Sequence, residues 1–287
     1  MVDGGPFGPA SVVVFGLFSA AVWGAADFGG GLAGRRIPVV VLVLATQLVG
    51  MVVAFALAML RAEPAPAPVD LAWAGISGIV GSAGILALYA GLAVGRMGVV
   101  APVTGVLAAT VPVLVGIVLD GLPQPLVLAG MLVAVVAVVL VSRVAGSPGS
   151  RSGIELALVA GLGLGLFNVT VTRSDEALVF STLTVARLAA TLVIAGVVLV
   201  TRRRPAIPRS LLPAILAIGV LDMAGNAGYL LAEQTGSLAV AAVLSSLYPV
   251  TTVILAALVL HERITRSHAA GIALALLAVV LIATGSA

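Results

Sequence analysis

Ten apolar runs alternate with short polar or Pro/Gly-rich breaks along this chain. Each run is close to the roughly 20 residues that a bilayer-spanning helix needs. They cover 10–33, 37–60, 71–94, 98–119, 125–143, 154–173, 180–201, 211–232, 237–260 and 267–285. Clear breaks fall at Arg35-Arg36, from Glu63 to Pro68, from Arg143 to Arg151, from Arg173 to Glu176, from Arg202 to Pro208 and from His261 to Arg266. Shorter ones lie near Arg96, Asp120 and Gly236. The pattern predicts an all-α fold: a polytopic membrane protein with ten transmembrane helices. Pro102, Pro112 and Pro249 fall inside runs, where each removes a backbone hydrogen bond.

The polar positions inside the runs are few and regularly placed. Asp222, Asn226, Tyr229 and Glu233 step by 4, 3 and 4 and so share one helical face. Ser245, Tyr248 and Thr252 repeat the spacing in the next run, around Pro249. Gly161, Gly165, Asn168 and Thr172 do so in the sixth. Polar stripes and prolines are expensive in lipid and persist where they face protein or a water-filled cavity. Two readings follow: a substrate cavity, and hence a transporter, or a polar seam between packed helices.

Single residues sharpen the choice. Asp27 ends Trp23-Gly-Ala-Ala-Asp27, deep in the first run. A carboxylate at mid-bilayer costs about 2.5–3.5 kcal/mol on insertion scales, which suits a proton or substrate-amine site. Its alternative is a place near the headgroups by Arg35 and Arg36. Asp222 lies about eleven residues into run eight and Arg187 about seven into run seven, so each wants a partner. They form either a helix-locking pair or part of a binding site. Tyr89 and Tyr248 are either cavity walls or interface anchors.

The polar break Ser142 to Ser152 divides the chain into 1–146 and 147–287, five runs each. Three weak matches appear in the same order across it. Val106-Leu-Ala-Ala-Thr-Val-Pro-Val113 aligns with Val243-Leu-Ser-Ser-Leu-Tyr-Pro-Val250. Gln47 aligns with Arg187, and Val138 to Val141, with Gly130, aligns with Val279 to Ile282, with Gly271. An odd number of spans per repeat inserts the halves in opposite directions, a five-plus-five inverted repeat.

Composition excludes more than it assigns. The chain is 61% hydrophobic and 9% charged, against about a quarter charged for a soluble domain. All 14 basic residues are Arg, which reads as the codon bias of a G+C-rich genome; the expected location is the bacterial inner membrane. Loops after odd-numbered runs hold most of them, with only Arg61 and Arg173 on the other side. The positive-inside rule then puts both termini outside. The first nine residues carry no Arg or Lys, so the first run is expected to stay as a membrane helix. There is no Cys, and His261 and His268 lack companions at ligand spacing, so no metal or thiol chemistry is expected. No HExxH, GxSxG or P-loop occurs, so neither an enzyme nor a cofactor is expected.

Ala241-Ala-Val-Leu-Ser-Ser-Leu-Tyr-Pro-Val-Thr-Thr252 followed by Leu260-His-Glu-Arg-Ile-Thr265 resembles the late signature of the drug/metabolite transporter superfamily, in its ten-span EamA-type members. In the first half Leu119-Asp-Gly-Leu-Pro123 stands where that run would be. The resemblance implies a secondary transporter of small metabolites, often an exporter. It also implies a central pocket lined by spans 1, 3, 4, 6, 8 and 9, and cytoplasmic termini, the reverse of the charge count. The expected substrate contacts are Trp23, Asp27, Tyr89, Asn168, Arg187, Asp222, Asn226, Tyr229, Ser245 and Tyr248. The solute expected at an acidic pocket is cationic or zwitterionic, such as an amino acid. The expected partners are that solute, the bilayer and a coupling proton, with no nucleic acid. A lipid-carrier flippase and a membrane scaffold are the alternatives.

Overall fold

The computed structural model describes residues 11–94, 97–142, 153–202, 206–259 and 266–285. The run His261 to Thr265 and the division at 146–147 lie outside them. Eleven α-helices form among the described residues and none of these is in a strand: α1 Ser11–Gly34, α2 Val39–Leu60, α3 Pro68–Val94, α4 Met97–Asp120, α5 Pro125–Ser142, α6 Ile154–Val171, α7 Val179–Val200, α8 Leu212–Thr235, α9 Leu238–Ser245, α10 Tyr248–Val259 and α11 Arg266–Gly285. Short 3₁₀ turns at Glu176–Leu178 and Arg209–Leu211 lead into α7 and α8.

Seven helical segments among the described residues are long and apolar enough to cross a membrane, namely α1, α2, α3, α6, α7, α8 and the α9–α10 unit. Shorter apolar stretches lie in α4, α5 and α11. The chain is therefore a multi-pass membrane protein. Its outer faces fit that reading: Phe55, Leu60, Val118 and Leu192 are exposed large apolar side chains, costly in water and at home in acyl chains.

Prolines act unequally. α4 runs unbroken through Pro102 and Pro112, whereas the ninth run splits into α9 and α10 at residues 246–247. Pro249 lacks an N–H, and its ring collides with the carbonyl four residues back, at Ser245, where α9 stops. Two tight bonds, Leu247 N–H to Leu244 O at 3.2 Å and Val250 N–H to Leu247 O at 2.9 Å, carry the chain across.

Helix pairs set the position of the site. α1 packs on α8, α3 on α6, α4 on α6, α9 and α10 on α1, α2 on α7 and α5 on α11. One end is also tied by capping. Both oxygens of Glu63, after α2, accept N–H bonds from Phe180 (3.1 Å) and Ser181 (2.7 Å) at the start of α7. Those N–H groups are orphans of the first helical turn, and a carboxylate there also suits the helix dipole. The Arg61 guanidinium lies 5.5 Å over the Phe180 ring. Asp70 bridges in the same way, accepting from Ala67 N–H and Asp175 N–H, each at 3.0 Å. Arg61 and Arg173 stand at this end of the bundle, and Arg35, Arg36, Arg202, Arg209 and Arg266 at the other.

Candidate functional site

A hollow with about 60 Å³ of room for water lies inside the helix bundle, lined by residues of α1, α3, α4, α6, α8, α9 and the first residue of α10. Its polar lining is Asp27 and Trp23 from α1, Asn168 from α6, Asp222 and Asn226 from α8, Ser246 and Tyr248. The rest is apolar: Ile85, Leu88, Ala108, Leu164, Phe167 and Ala242. These are the six spans that the resemblance implies.

Trp23 owes its place to a missing side chain. A Cβ on Gly225 would sit 2.4 Å from the Trp23 ring, so only glycine lets α8 accept the indole. The Ser19 hydroxyl donates to Gly225 O at 2.8 Å and fixes the same approach one turn earlier. On its other side Trp23 meets the Tyr229 ring at 5.9 Å between centroids. Tyr248 is held by its hydroxyl, which donates to Ala101 O at 3.1 Å. Thr252, one turn on, donates to Gly24 O at 3.1 Å and fastens α10 to α1.

The two carboxylates of the hollow differ. Asp222 pairs with Arg187 at 2.6 Å, and Arg187 also donates to Gln47 Oε1. The Asn226 amide donates to Asp222 O at 2.6 Å. A second, smaller hollow beside this group is lined by Gln47, Arg187, Asp222 and Asn226, and shares Ile85, Leu164 and Phe167 with the first. Asp27 is 6% exposed. It makes no ion pair and accepts no hydrogen bond among the described residues.

Four of the ten expected contacts lie outside the central lining. Arg187 faces the smaller hollow instead. Tyr89 is buried with its ring against Gly30, where a Cβ would come within 2.4 Å of it. Its neighbour Leu88 takes the lining position. Tyr229 is fully buried, and its hydroxyl donates to Asn168 O at 3.2 Å. Ser245 is buried with its hydroxyl unpartnered, and Ser246 lines the cavity in its stead. The helix break at 246–247 turns the chain and moves the polar position by one residue. The six apolar lining residues carry no signal in the sequence, because an apolar side chain in an apolar span gives no contrast. Ser246 was readable from its place beside Pro249.

A third hollow, about 1000 Å³ including space open to solvent, sits at the Arg61–Arg173 end. Asp70, Thr172, Arg173, Asp175, Glu176, Glu233 and Gln234 make it polar. No group of His, Cys, Asp and Glu among the described residues could hold a metal ion.

Fold and hollow together define a helical, multi-pass membrane protein built around a charged internal cavity. Residues 151–284 match the EamA-like transporter family. That stretch, a little under half of the chain, is thus similar to an EamA-like transporter domain. A solved crystal structure of another protein superposes with a TM-score of 0.72 at 19% identity, covering 95% of this chain and 96% of that one. That likeness is one of fold. No curated protein matched the sequence.

Proposed function

We propose that this protein is a secondary transporter of the bacterial inner membrane. It exports a small cationic or zwitterionic metabolite, an amino acid among the candidates, by alternating access. The observation that carries the reading is the contrast at the cavity. Asp222 is neutralised by Arg187 at 2.6 Å, while Asp27 presents a carboxylate to the hollow with no protein cation beside it. A buried charge is paired or it is costly. A solute ammonium or a proton is the missing partner. Trp23, Tyr248 and Phe167 line the same hollow, and aromatic rings attract cations. A scaffold needs no such cavity, and the cavity is what speaks against that alternative.

Two oppositely inserted five-helix halves would supply the movement. What supports them is an exchange of packing partners: α1 lies on α8 as α6 lies on α3, and α4 on α6 as α9 and α10 on α1. Gln47 and Arg187, which align between the halves, touch each other. That is where residues beside a two-fold axis would meet.

The test is solute-dependent stabilisation of the purified protein, followed by flux in proteoliposomes. Ligands that bind the folded state raise the unfolding midpoint. Primary amines and amino acids should raise it in the parent and not in Asp27→Asn. Equal stabilisation of both proteins would refute Asp27 as the cation site.

A further inference from the structure

The central cavity and the polar vestibule are separated by about one turn of α8. Asp222 and Asn226 line the cavity, and Leu230, Glu233 and Gln234 line the vestibule. On α6 the same boundary falls between Asn168 and Val171. Tyr229 lines neither hollow and is 0% exposed. Its ring lies against Trp23, and its hydroxyl donates to Asn168 O at 3.2 Å. One aromatic side chain thus fills the layer between the two spaces.

The bond that holds it is of a kind that opens cheaply. α6 ends at Val171, so the carbonyl of Asn168 belongs to the last four of the helix, which have no intrahelical donor. When Tyr229 swings away, water from the vestibule can satisfy both the hydroxyl and the carbonyl. The opposite end is closed differently. There the Tyr89 ring is pressed onto the Gly30 backbone, and α1 and α3 pack directly along their chains. Opening that end requires moving helices, whereas opening the vestibule end requires turning a side chain.

We propose that Tyr229 is the gate between vestibule and cavity, and that the vestibule is the chamber through which solute passes on the Arg61–Arg173 side. The proposal rests on the transport reading above, yet its test needs no solute. The chain contains no cysteine, so single cysteines report without a background. Ala108→Cys stands in the cavity and Gln234→Cys in the vestibule. A membrane-impermeant methanethiosulfonate reagent added to the Arg61–Arg173 face should label Gln234→Cys fast and Ala108→Cys slowly. Adding Tyr229→Ala, which removes both ring contact and hydrogen bond, should speed Ala108→Cys roughly tenfold or more and leave Gln234→Cys unchanged. Tyr229→Phe, which loses the hydrogen bond alone, should speed it about fivefold.

An unchanged Ala108→Cys rate in both variants would overturn the gate, as would acceleration seen only from the opposite face. If Tyr229→Ala does not yield folded protein, Tyr229→Phe decides alone, and an unchanged rate there is the overturning result. A gate confirmed by labelling in a protein that moves no amine would strike the transport reading and leave the gate standing.

Discussion

Asp27 and Asp222 line one hollow and obey different rules. Asp222 belongs to a closed set: Arg187 at 2.6 Å, with Gln47 behind it and Asn226 one turn along. That set joins α2, α7 and α8 with no net charge. Asp27, on α1, is more deeply buried and has no such company. The comparison teaches that depth in a membrane does not by itself mark a functional carboxylate. What marks it is whether the protein has already supplied the counter-charge. The seam at Asp222 is spent on holding helices together, and the charge at Asp27 is available.

The largest expected effect comes from breaking the seam. Asp222→Ala leaves Arg187 buried without its anion, a change that costs about 3–5 kcal/mol in folded proteins. Thermal unfolding in detergent should show a clearly lower midpoint. Pairing it with Arg187→Met should restore much of the loss, because the orphaned cation is then gone. A double-mutant cycle should read a coupling of about 1–3 kcal/mol. Additive losses would mean that the two side chains are not a unit, and Asp222 would rejoin Asp27 as an open site.

Gln47→Leu tests the outer member of the same set. It removes a hydrogen bond to a charged group, a loss of about 1.5–3 kcal/mol. The ion pair remains, so transport of an amine should survive while the unfolding midpoint falls. Loss of transport with unchanged stability would place Gln47 in the solute path instead.

The fold was largely legible in the sequence because lipid imposes one rule on every span. The ten apolar runs coincide with helices to within a few residues, and Pro/Gly and Arg breaks coincide with their ends. The site was legible in one dimension only. The stripe Asp222, Asn226, Tyr229 and Glu233 shares a face, as spacing required. Depth then divides that face into cavity lining, barrier and vestibule lining. Spacing along one helix carries no information about what stands opposite each turn. For the same reason spacing alone does not join Arg187 to Asp222: helical rotation about the axis is set by partners far away in sequence. Ser246 lines the hollow where spacing points to Ser245, because a proline in a run signals a break and not its angle. Pro112 leaves α4 intact while Pro249 divides its span.

The smallest stability effect belongs to Asp27→Asn, and its sign makes it the sharpest test. A buried carboxylate with no protein partner is a burden on the folded state, and an amide of the same shape lifts part of it. The unfolding midpoint should hold or rise, by on the order of 1 kcal/mol, where Asp222→Ala makes it fall. The transport readout should move the other way, with amine efflux from proteoliposomes lost in Asp27→Asn and kept in Gln47→Leu. A structural carboxylate cannot produce that combination, since losing it would lower stability first and function as a consequence. If Asp27→Asn instead unfolds like Asp222→Ala, then Asp27 has a partner inside the folded protein. The distinction between an occupied and an available charge would then fail, and with it the assignment of the cation site to α1.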